Sequence, residues 1–249
     1  MESWGVRDYG NRIPSSVHEK GRRRMSSTDT RQAWLLGVEK ELTWWRSYFT
    51  NNGLDDPTGY RERLDPDAPL QAHLAATIPN RPPETTLRIL DCAAGPATTV
   101  GKMLGDRRVD VVAVDALAGH YRQMLDEIGL TPPVPTLACD VEHLDGQFEP
   151  ASFDLVYMRF ALDHCYDPLK ALRQMTRVTR NDGAVLIEHY RDESQVEFEG
   201  LRQWELRPEP GDLVVGNAEA SFSVRTAFPD FQVTVNYSPA WLTLTLRRA

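Results

Sequence analysis

The sequence predicts an α/β protein with a doubly wound, seven-stranded sheet. The sheet is mostly parallel, ends in an antiparallel C-terminal hairpin and is preceded by an N-terminal helical lid. Three observations carry this. Between Leu87 and Tyr190, short apolar runs alternate with helical patterns, as in a parallel sheet wrapped by helices. Three of these runs lead into an aspartate, at Asp91, Asp115 and Asp140, and the carboxyl ends of such strands are where ligands bind. The last two runs, 231–237 and 241–247, are joined by a short Ser-Pro turn. That link is too short for a crossover helix, so the pair must be antiparallel.

Taken in order, residues 1–28 carry Gly, Ser, Pro and a basic run at 20–24 with no apolar period; they read as a disordered tail, with Met25 as an alternative start. From Thr30 to Phe49, Trp34, Val38, Leu42, Trp45 and Phe49 recur at helical spacing, and Trp44 and Tyr48 widen the stripe. This helix either packs on the main domain or serves as a lid whose aromatics wall a pocket. Asn51-Asn52-Gly53 ends it, a short helix follows at 70–78, and the proline-rich segment 79–83 breaks the chain. Residues 29–83 thus form a cap, and 84–249 the main domain. In the latter the strands are 87–91, 109–115, 136–139, 153–159 and 184–190. Helices are expected at 98–104, 118–128 and 168–178, with a polar helix at 194–203.

Of the 249 residues, 41% are hydrophobic and 26% charged, as in an ordinary globular protein, and the net charge of -8 argues against a nucleic-acid partner. No apolar run approaches the ~20 residues that span a bilayer, and the N-terminus has no leader-like apolar region. Cys92, Cys139 and Cys165 are far apart with no Cys-x-x-Cys pair, which predicts a reduced, cytoplasmic protein without structural zinc. The expected partner is a small-molecule acceptor, with no membrane, in a monomer or homodimer.

The stretch "DCAAGPATTVGK" (91–102) places small residues where a ligand approaches backbone. A P-loop needs four residues between Gly and Gly-Lys-Ser/Thr. Here Gly95 to Gly101 leaves one too many, and Met103 stands where the hydroxyl belongs. A dinucleotide site fits poorly, because Asp91 would repel a pyrophosphate and only Gly95 remains of a glycine set. S-adenosylmethionine has no phosphate. Asp91 suits its methionine end, Asp115 its ribose hydroxyls and Asp140 its adenine amine.

These motifs resemble class I S-adenosylmethionine-dependent methyltransferases, a Rossmann-like family, in its type 11 form. The carriers are "ILDCAAGPATTVGKML", "VVAVDALAGHY", "LACDVEHL", "FDLVYMRFALDHCYDPLKALRQMTRVTRNDGAVLIEH" and the hairpin. Ala93 and Ala97 replace two glycines of the family's loop, which an alanine at negative φ would tolerate. "RLDPDAPLQ", "ALDHCYDP" and "GLRQWE" are also similar to a bacterial subgroup with a Gly-Leu-His-Gln-Trp-Asn pattern, from which Arg202 and Glu205 depart. The resemblance implies cofactor contacts from Asp91, Ala93, Gly95, Pro96, Asp115, Ala116, Asp140, Val141, Arg159 and Phe160, with Arg159 a partner for the cofactor carboxylate. Tyr60, Arg61 and Arg63 would close over the cofactor.

Methyl transfer is an in-line displacement, accelerated by positioning; a hydroxyl acceptor also gains from a base, about 10²–10⁴-fold. Acceptor-facing residues should follow the fourth and fifth strands. His189 is the expected base, with His164 as its substitute and Asp163 or Asp192 orienting the ring; Glu188 should point to the other face. Trp45, Tyr48, Tyr190 and Trp204 are the expected acceptor contacts, and no metal is expected. O-methylation of a sugar or natural product is the resulting expectation. N-methylation, or a cofactor-binding module without turnover, stands beside it.

Overall fold

The computed structural model describes residues 27–190 and 201–249. Most of the expected tail, the basic run, Asp192 and the greater part of the expected polar helix lie outside the described residues. Three helices come first, α1 (Ser27–Thr50), α2 (Pro57–Leu64) and α3 (Ala72–Thr77). Ser27 and Thr28, expected in the tail, belong to α1. Helix α2 was not anticipated from periodicity. It is a short helix fixed by capping, with Asp56 accepting from the Gly59 N–H at 3.0 Å and Pro57 opening the first turn.

The main sheet contains β1 (Leu87–Cys92), β2 (Met103–Leu104), β3 (Arg107–Asp115), β4 (Thr136–Ala138), β5 (Phe153–Arg159), β6 (Thr179–Tyr190), β10 (Phe231–Tyr237) and β11 (Trp241–Arg248). Its order is β10-β11-β6-β5-β1-β3, with β2 and β4 both pairing β3. Strands β1, β3, β4, β5 and β6 run parallel, and the β10–β11 hairpin pairs antiparallel. The expected seven strands are all present, and β2 is an addition. Alternate residues feed opposite faces. Helix α4 (Ala118–Glu127) follows β3. Ile89, Leu155, Tyr157 and Leu186 pack on one side beside Leu70 and Leu74, whereas Leu90, Val156, Met158 and Ile187 pack on the other beside α5 (Pro168–Val178). Both faces are covered, so the central strands read as continuous apolar runs.

Two departures from the sequence reading matter. The helix expected at 98–104 is absent. Thr98, Thr99 and Val100 are β-branched, and Gly101 has backbone so close to Pro69 that a Cβ would stand 2.1 Å from its carbonyl oxygen. The N–H groups of Lys102 and Met103 go instead to the Ala68 carbonyl, at 2.7 and 3.1 Å, and the Met103 carbonyl accepts from Leu70 at 2.6 Å. The segment is thus held as a loop against the chain entering α3, and then pairs with β3 as β2. The second departure is a separate three-stranded antiparallel sheet, β7 (Glu205–Glu209), β8 (Asp212–Gly216) and β9 (Ser221–Ser223). Leu206, Leu213 and Val215 seal it onto the main core.

Candidate cofactor and acceptor site

The carboxyl ends of β1, β3 and β4 lie side by side and carry Asp91, Asp115 and Asp140. The glycine loop is stitched to β3. The Gly95 N–H donates to Asp115 Oδ2 at 3.0 Å, the Leu117 N–H to Oδ1 at 2.8 Å, and Thr136 Oγ1 to the Gly95 carbonyl at 2.9 Å. A carboxylate offers about four lone-pair sites, so Asp115 keeps acceptor capacity for a ligand. Asp91 accepts from Thr98 Oγ1 at 2.5 Å. Burial raises both carboxyls to about 6, against the Thr98 hydrogen bond and nearby cations at Asp91 and the two backbone donors at Asp115. Asp140 is more open. The Tyr166 hydroxyl donates to it at 3.4 Å and shares a 3.0 Å hydrogen bond with His143 Nδ1. Val141 packs into the core beside it.

Ala93 has φ +54°, not the negative angle expected of an alanine. This is the left-handed region, where a Cβ crowds the following carbonyl oxygen and glycine is preferred. Gly95, at φ +67°, faces the Trp45 ring, and a Cβ there would be 2.6 Å from it. The cap therefore touches the loop directly. Trp45, Tyr48 and Phe49 are buried with Ala97, Leu117, Tyr121, Met124 and Leu125. For Trp45 and Tyr48 the surroundings are those of packing residues, while Trp44 is half exposed. Trp45 donates to Glu41 at 2.7 Å. The Arg63 guanidinium lies 4.8 Å over its ring and donates to the Ala97 carbonyl. Tyr60 packs at the edge of the same cluster, and Arg61 is exposed at the end of α2.

Across the sheet, the ends of β5, β6 and β11 form a second half. His189 is 2% exposed. Its Nε2 lies 2.9 Å from Asp163 Oδ1 and its Nδ1 2.9 Å from the Tyr190 carbonyl oxygen. Both neighbours are oxygens that accept, so His189, the expected base, stands in a buried network with each ring nitrogen beside an acceptor. Burial would raise Asp163, but His164, His189 and Arg202 outweigh it and hold the carboxyl below its usual range. Asp163 does orient the His189 ring. Glu188 takes the other face, as alternation predicts, and accepts from Tyr157 at 2.5 Å with His73 at 3.2 Å.

His164 is the more open imidazole. Its side chain is 25% exposed, and Nε2 stands 3.7 Å from Asp163. Phe160 has φ +56° and stacks on Tyr190 at 4.2 Å, with Trp241 edge-on to both. Arg159 lies 4.8 Å over Phe160 and 5.6 Å from the Trp241 ring. Trp241 was missed because it opens a hairpin strand and only the β6–β11 register, Trp241 opposite Tyr190, brings it here. Trp204 donates to the Cys165 carbonyl at 2.8 Å and packs on the core, and the adjacent Gln203 holds a buried amide with no partner among the described residues.

Residues 90–187 match a sequence profile described as "Methyltransferase domain". This stretch is similar to methyltransferase domains. It contains Asp91, Gly95, Asp115, Asp140 and Asp163; the cap, His189 and the hairpin lie outside it. A 105-residue stretch is 33% identical to demethylmenaquinone methyltransferase from Renibacterium salmoninarum, covering 41% of each chain. The same enzyme from Paenarthrobacter aurescens is also 33% identical over 105 residues, 41% of this chain and 38% of that one. The chain thus spans about two fifths of the length of these relatives. The fold around this stretch is similar to that of Burkholderia thailandensis 1,6-didemethyltoxoflavin-N1-methyltransferase, solved with 1,6-didemethyltoxoflavin and S-adenosylhomocysteine. That likeness has TM-score 0.50 and 16% identity, and covers 92% of this chain and 93% of that one. Among the described residues no helix is long and apolar enough to cross a membrane.

Proposed function

We propose that this chain is an S-adenosylmethionine-dependent methyltransferase that methylates an oxygen of a small-molecule acceptor, a sugar or natural product. The observation that carries the reading is the row of Asp91, Asp115 and Asp140 on adjacent strand ends, with the glycine loop bonded to the middle one. The residues suit the cofactor's chemistry. Asp91, raised by burial, gains from a cation beside it. Asp115 has acceptor capacity for a ribose diol, and Asp140 is open enough to accept from an adenine amine. S-adenosylmethionine, when bound, supplies an electrophilic methyl group on a sulfonium.

The chain's own part is to bind, orient and exclude water. The cap, residues 29–83, covers the glycine loop with Trp45, and the Asp163–His189 pair fixes the turn that carries His164. His164 is assigned the acceptor's proton, because its ring is open to solvent and near both halves of the site. Three buried, unbridged thiols fit a reducing, cytoplasmic setting.

The test is transfer of labelled methyl from S-adenosylmethionine across a panel of hydroxyl and amine small molecules. Transfer to a hydroxyl should fall roughly 10²-fold in His164→Ala. Transfer to amines alone, unaffected by that change, would replace the oxygen reading. Cofactor binding with no transfer would leave a binding module.

A further inference from the structure

We infer that Arg63 is the residue that receives the carboxylate of the cofactor's amino-acid arm; this rests on the cofactor reading above. The expectation from the sequence gave that contact to Arg159. Arg159, however, is exposed and lies on the faces of Phe160 and Trp241. Lys102, the other cation near Asp91, is turned toward the cap and donates to the Glu62 carbonyl at 2.6 Å. Arg63 differs from both. Its head is walled by the rings of Trp45 and Tyr48, at 4.8 and 5.7 Å, and one end is tied to the Ala97 carbonyl of the glycine loop.

Its Nε is buried and has no hydrogen-bond partner. Burial is the main influence on the guanidinium and lowers its pKa; the Tyr48 hydroxyl, through charge and a hydrogen bond, and the attraction of Asp91 act against it, and Arg159 adds to the lowering. A charged donor sealed from water with nothing to bond is costly, and an anion presented to it removes that cost. Guanidinium and carboxylate match in shape and charge. The place is also right, because Asp91 and the loop mark the end of the site assigned to the methionine arm. The anion would in addition bridge α2 to the loop that Trp45 covers, joining cap and cofactor.

The experiment is calorimetric titration of the full chain with S-adenosylhomocysteine and with its decarboxylated analogue, which keeps the adenosine, thioether and ammonium. Wild type should prefer S-adenosylhomocysteine by roughly 10- to 100-fold, the range for a charge-assisted hydrogen bond. Arg63→Met should lose that preference by weakening S-adenosylhomocysteine alone, with the analogue's affinity unchanged, and Arg63→Lys should retain part of it. If wild type shows no preference, or if both variants keep it or weaken the two ligands equally, Arg63 is not the carboxylate partner. The lysine variant and the wild-type comparison decide the matter even if the methionine variant does not fold. No binding of either ligand by wild type would instead remove the cofactor reading itself.

Discussion

The two halves of the site handle charge in opposite ways. At the ends of β1 and β3, Asp91 and Asp115 are pushed up to about 6 by burial, and Arg63 keeps an unbonded donor. At the ends of β5 and β6, the ionisable groups answer one another. Asp163 has His189, with Arg202 beyond it, and Glu188 has Tyr157 and His73. The first half holds charges that a ligand can complete. The second is a braced set of paired groups, and on the reading proposed above it leaves ligand contact to ring faces and to His164. Perturbed ionisable groups cluster at functional sites, but ion-pair networks that only hold a fold perturb them too, and on the reading proposed above the His189 pair belongs to the second kind.

The largest effect should come from breaking the braced half. His189→Ala leaves Asp163 buried with only His164 and Arg202 nearby, and removing one partner of a buried pair costs roughly 3–5 kcal/mol. Denaturant unfolding should show a loss of about 3 kcal/mol, with cofactor affinity in the folded protein little changed. A loss below about 1 kcal/mol, with turnover abolished, would return His189 to catalysis.

The next effect probes the ligand-ready half. Asp115→Ala removes the expected ribose acceptor and the anchor of the Gly95 and Leu117 amides. S-adenosylhomocysteine binding should weaken by about 1.5–3 kcal/mol. Unchanged affinity would put the ribose elsewhere.

The smallest effect concerns the loop's backbone. Ala93→Gly relieves a left-handed alanine, offset by glycine's greater entropy loss, and should stabilise the protein by roughly 0.5–1 kcal/mol. The melting temperature would register it. A destabilised variant would mean that the Ala93 methyl packs better than its backbone strains.

Local pattern revealed much of this. The parallel strands, their aspartates and the terminal hairpin were legible because period-two burial and turn length are written in adjacent residues. Helix α5 matched its expected span, 168–178, because its apolar stripe is regular. Features set by distant partners were not legible. Gly101 looked like a helix residue until Pro69 lay against it. Trp241 entered the site through register with Tyr190, and His189 meets Asp163, 26 residues away. Helix α2 and the β7–β9 sheet are short enough that capping and turns, not periodicity, define them. Ala93 could have been read correctly: an alanine in a glycine's place signals strain as readily as tolerance.

On the reading proposed above, Asp91 and Asp115 are held for a ligand that needs them ionised. Burial raises both from 3.8 to about 6. In the unliganded protein their contribution to stability is complete below about 4 and is lost as pH rises through about 6. Ligand binding should run the other way. Titration of S-adenosylhomocysteine by calorimetry at pH 5 and pH 7.5 should show affinity at least about tenfold higher at the upper pH, where both carboxylates are charged. Affinity that is equal at the two values, or higher at pH 5, would contradict the assignment of these carboxylates to the cofactor.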